Sequence, residues 1–150
     1  MKLKNIFRFV ILTAIAISIF ASCNSEDYKT GADEVTDTVK EGTWTISYFY
    51  DSGVDKTADY AAYNFVFSDK NILTAVKETN SYTGQWFVSN STSDGDIYST
   101  IFKVSIGPNE IFQDLNADWK VMENKGSSLT LKDDSHGETA IDYLTLQKIE

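Results

Sequence analysis

Beyond Gly42 the chain alternates apolar and polar residues at every second position through most of its length. In Thr43 to Tyr50, Trp44, Ile46, Tyr48 and Tyr50 share one face while Thr43, Thr45 and Ser47 share the other, the pattern of a half-buried strand. Tyr63, Phe65 and Phe67 repeat it, and Asp69-Lys70-Asn71 turns the chain into a third strand, Ile72 to Glu78. Tyr82 to Ser89 aligns Gly84, Trp86 and Val88, and Tyr98 to Ile106 aligns Phe102, Val104 and Ile106. Trp119 to Glu123, Leu129 to Lys132 and Ala140 to Lys148 complete eight predicted strands. Turn residues punctuate them at Asn90 to Asp96, Gly107-Pro108-Asn109, Asn124-Lys125-Gly126 and Asp133 to Gly137, as strand connections require. Between Glu110 and Asp118 the spacing changes: Ile111, Phe112 and Leu115 fall three and four apart, which predicts a short helical turn. No other run carries helical spacing long enough for a standard helix, so the fold class is all-β.

The first 22 residues follow a different rule. Lys2, Lys4 and Arg8 precede twelve uncharged residues, Phe9 to Phe20. As a helix that stretch rises only about 18 Å, short of a hydrocarbon core of roughly 30 Å, so it reads as a cleaved secretory signal. Phe20-Ala21-Ser22-Cys23 resembles the bacterial lipobox, with Phe20 in place of the usual leucine. Cys23 is the only cysteine, which excludes an internal disulfide and makes lipidation through its sulfur the expected role. The acidic, aperiodic stretch 23–40 is expected to be a tether. Its opening, Asn24-Ser25-Glu26-Asp27-Tyr28, resembles the short export signal of surface lipoproteins of the Bacteroidetes. The expected organisation is therefore a signal peptide (1–22), a tether (23–40) and one domain (41–150), anchored in the outer membrane and favoured to face the cell exterior.

Within the domain, Gly42 to Trp44, Tyr63 to Phe67, Gly84 to Trp86, Phe112 to Val121 and Leu144 to Lys148 occur in order, and together they resemble the lipocalin-like lipoproteins of Bacteroidetes. That resemblance implies an eight-stranded antiparallel up-and-down barrel. Such a barrel is filled by side chains or holds one small ligand. The inward candidates, Trp44, Ile46, Tyr48, Phe65, Phe67, Trp86, Val88, Phe102, Val104, Leu131, Leu144 and Leu146, are bulky. Tyr48, Tyr50, Tyr60 and Phe112 are the candidate ligand-binding residues at the barrel mouth. In lipocalins an arginine covers the tryptophan of the Gly-x-Trp motif; the chain beyond Cys23 has no arginine. By strand alternation Lys148 shares a face with Leu144 and Leu146, and it is expected to lie across Trp44 as a seal on the barrel floor.

Charge narrows the partners. With 13 basic and 22 acidic residues the net charge is −9, and removal of residues 1–22 leaves ten lysines and a net of −12. A field of that sign with no guanidinium excludes nucleic acid as an expected partner. The lone histidine, His136, lies in a polar loop with no cysteine or second histidine to pair with, so neither a catalytic dyad nor a metal site is expected, and no cofactor. Two non-enzymatic readings follow: a monomeric barrel that binds a small apolar or glycan-like ligand, or a filled barrel that contacts another envelope protein.

Overall fold

The computed structural model describes residues 31–93, 96–137 and 140–149. Its strands are β1 (Thr43–Asp51), β2 (Val54–Asp55), β3 (Asn64–Phe67), β4 (Ile72–Lys77), β5 (Asn80–Ser93), β6 (Asp96–Ile106), β7 (Asp118–Asn124), β8 (Ser128–Asp133) and β9 (Asp142–Ile149). Among the described residues each strand pairs antiparallel with its neighbour, and β1 also pairs with β9, which closes the sheet. The two-residue β2 pairs only with the end of β1, so the barrel proper has eight strands, as the alternation predicted. Helix α1 (Gly31–Lys40) precedes it, α2 (Thr57–Tyr60) follows β2, and a 3-10 helix (Glu110–Leu115) links β6 to β7.

Two sequence expectations are corrected here. The stretch 31–40, expected as tether, is α1, and it buries Val35 and Val39. Only these two residues, four apart, carry its apolar face, too few for periodicity to register. Asp33 and Glu34 in the first turn and Lys40 in the last complement the helix dipole. The helix is tied to the barrel's lower end: the Ala32 amide donates to Asn90 at 3.2 Å, Asn124 donates to Thr38 at 3.0 Å, and Lys40 pairs with Asp69 at 3.1 Å.

The second correction concerns Tyr48. In the β1–β9 ladder Ile46 faces Leu146 but Tyr48 faces Thr145 and Phe49 faces Leu144, with Ser47 bulged between. One extra residue shifts the following positions to the opposite face. Phe49 therefore enters the core with no exposed surface, and Tyr48 points outward, 41% exposed.

The three tryptophans show how the barrel ends are closed. All are buried, and each indole N–H donates to a carbonyl of a segment lying over an end. Trp44 donates to Val39 of α1 at 3.0 Å, Trp86 to Ser68 in the β3–β4 turn at 3.2 Å, and Trp119 to Leu115 of the 3-10 helix at 3.1 Å. A buried indole N–H left unpaired would cost about 1–3 kcal/mol, so these bonds favour the closed arrangement. Between the ends, Ile46, Phe65, Phe67, Leu73, Val104, Leu115, Leu144 and Leu146 leave a void of only about 10 Å³. The barrel is filled.

Candidate functional site

At the rim opposite α1 the chain closes over the barrel with aromatic rings. Phe112, on the 3-10 helix, is fully buried. Its ring meets Tyr82 at 5.1 Å and Tyr63 at 5.2 Å, both edge-on, and Tyr60 at 6.3 Å. The side chain of Asn109 caps the 3-10 helix by accepting from the Ile111 amide at 2.9 Å. Tyr60 donates its hydroxyl to the Ile111 carbonyl at 2.6 Å, locking α2 to the 3-10 helix. Burial disfavours the phenolate and pushes the Tyr60 pKa up to about 12. The structure thus brings two of the four expected ligand-binding residues, Tyr60 and Phe112, together, but as parts of a plug. Tyr48 and Tyr50 stand apart from them on the barrel wall: Tyr48 is exposed by the bulge, and Tyr50 is half-buried and pairs with Asp55 and Tyr143. The four do not line a common mouth.

At the other end Lys148 crosses Trp44, with its ammonium 5.3 Å from the ring centroid and 3.5 Å from Glu41. The register explains the placement, since Lys148 lies opposite Trp44 in the β1–β9 ladder. Gly42, at φ +81°, turns the chain from α1 into β1 and leaves room for the lysine stem, whose Cγ and Cδ would stand 3.5 Å from a Cβ there. Cys23, the expected lipidation site, lies outside the described residues.

A cleft of about 400 Å³ opens beside the plug and is lined by Asp51, Asp114, Asn116, Asp133, His136 and Asp142, among others. It is strongly acidic. Lys56 binds Asp51 and, at 2.7 Å, Asp114; the hydrogen bonds it donates to these two carboxylates, Asp114 first, hold its ammonium above the ordinary lysine range. Asp133 and Asp142 face each other across the β8–β9 pair and are only 8% and 6% exposed. His136, in the loop between them, brings Nδ1 to 4.0 Å from Asp142. The polar character of the Asp133 to Gly137 loop was plain from sequence, but its closure onto the start of β9 was not, because Asp142 lies nine residues from Asp133 and meets it only through strand pairing.

No protein-family model matches the chain, and no curated protein matches it in sequence. Among solved structures, the chain is similar to a crystal structure of a DUF4847 family protein from Bacteroides vulgatus. The TM-score is 0.48 at 15% identity, over 77% of this chain and 99% of that one.

Proposed function

We propose that this chain is a non-enzymatic, lipid-anchored module of the bacterial outer membrane that meets another envelope protein through the loops of the rim opposite α1. The observation that carries this reading is the packed interior: a void of about 10 Å³ has no room for the small apolar or glycan-like ligand otherwise expected in a lipocalin-like barrel, since ligand pockets run to roughly 300 Å³ or more. Recognition then falls to the outer surface.

The position of α1 supports the orientation. It lies against one end of the barrel, and Cys23 precedes Gly31 by eight residues, which span at most about 29 Å when extended. An acylated Cys23 would hold the α1 end toward the membrane and turn the opposite rim away from it. The test is photo-crosslinking in intact cells from Ile111 and Gln113 at the rim and from Lys125 at the α1 end. The expected result is one discrete adduct from the rim positions, none from Lys125, and loss of the adduct when Cys23→Ser releases the chain. Absence of a rim adduct, or the same adducts from both ends, overturns the reading.

A further inference from the structure

The acidic cleft holds a feature that an interaction surface does not explain. Asp133 and Asp142 are carboxylates more than nine-tenths buried, directly opposite on neighbouring strands, where like charges repel. One oxygen of each is anchored: Asp133 accepts from the Ser135 amide at 2.8 Å, and Asp142 from the Ser52 amide at 2.7 Å. Neither second oxygen receives a hydrogen bond from any described residue. Nor does a described lysine reach either carboxylate, because the nearby ammonium groups are engaged elsewhere. Lys132 and Lys120 bind Asp134 at 2.9 and 3.5 Å, and Lys56 binds Asp51 and Asp114. The two side chains are largely withdrawn from water, their second oxygens still reach the cleft, and a carboxylate pair this close with no countercharge among the described residues is unfavourable.

We propose that Asp133, Asp142 and His136 form a binding site for a divalent transition-metal ion of the zinc type. One donor atom from each of the three lies within 4.8 Å of the others. Metal–ligand distances of about 2.0–2.2 Å require the donors to draw closer together, and the part that must move is the exposed one. The His136 side chain is 68% exposed, and among the described residues its hydrogen-bond contact is with Ser135 at 3.4 Å. The amides of Ser52 and Ser135 each donate to one oxygen of the two carboxylates and so orient them, as outer partners of metal ligands do. One imidazole nitrogen and two carboxylate oxygens suit zinc, whereas calcium takes six to eight oxygens. Three protein ligands would leave a zinc ion able to take a further ligand, and Asn116 and Gln113 line the same 400 Å³ cleft.

The test is calorimetric titration of zinc into the full chain carrying Cys23→Ser, which removes the only thiol as a competing ligand. Nitrogen-15 spectra of the imidazole provide an independent readout, since the chain has a single histidine. The proposal expects one equivalent of zinc, imidazole resonances displaced on addition, and no displacement of zinc by calcium in large excess. His136→Ala, at an exposed position, and Asp142→Asn, which keeps an acceptor for the Ser52 amide, should each weaken binding by more than about tenfold, a loss that outer-shell changes alone can reach. Absent binding, affinity unchanged in His136→Ala, unmoved imidazole resonances, or equal competition by calcium overturns it.

Discussion

Gly84→Ala tests how tightly the barrel wall is drawn at one corner. Gly84 pairs with Leu73 of β4 and Ile106 of β6. A Cβ at this position would stand 2.2 Å from the Ser105 carbonyl oxygen, 2.6 Å from Ile106 Cα and 2.9 Å from the Ser105 carbonyl carbon. All three are backbone atoms, so no side chain can rotate aside. Ordinary contact begins near 3.4 Å, which requires β5 and β6 to part by about 1 Å; adjacent ladder bonds at an ideal ~2.9 Å would then exceed hydrogen-bonding range. Losing about two of them costs roughly 1–3 kcal/mol, and overpacking adds roughly 1–3 kcal/mol. Reduced freedom of the unfolded chain returns about 0.4–1 kcal/mol. The net loss is about 3 kcal/mol, or about 10 °C in Tm for a domain of this size. The assay is thermal and urea unfolding beside Gly107→Ala, where the nearest atom to a new Cβ is the Thr83 carbonyl at 3.6 Å and little change is expected. A Gly84→Ala protein that melts within about 2 °C of wild type, or together with Gly107→Ala, refutes the close-approach argument.

Two further outcomes are expected. The folded-state pKa of Tyr60, raised to about 12, lies above an unfolded value near 10, so its contribution is full below pH 10 and is lost as the pH rises toward 12; denaturant unfolding across that window should show a shallower decline for Tyr60→Phe, and equal slopes would count against burial of the phenol. In a double-mutant cycle with Trp44→Phe and Lys148→Ala, the 5.3 Å stacking should couple by about 0.5–1 kcal/mol, and zero coupling would reduce Lys148 to a bystander.

The eight barrel strands were legible because their signal is local. A period of two in Tyr63-Phe65-Phe67 or Leu144-Leu146-Lys148 reflects side chains alternating across a pleated backbone, whatever lies beyond. The short helix of Glu110–Leu115 was legible for the same reason, and so was the pairing of Lys148 with Trp44, because antiparallel closure brings the last strand's end beside the first strand's start. Where the prediction erred on Tyr48, alternation itself was sound, but the bulge at Ser47 depends on matching β1 to β9, a partner about 100 residues away. Helix α1 escaped notice because two valines suffice once a barrel end is there to receive them.

The sequence by itself determined where apolar and polar positions alternate, where the chain turns, and that its lone cysteine follows a short basic segment and an uncharged apolar stretch. The tertiary structure alone decided that the interior is filled, because a void depends on how side chains from every strand interlock and not on the identity of any one. It also decided that Tyr60 and Phe112 plug the rim, and that two aspartates and the only histidine converge on one cleft. Each of those outcomes joins residues whose proximity exists only after the sheet has closed.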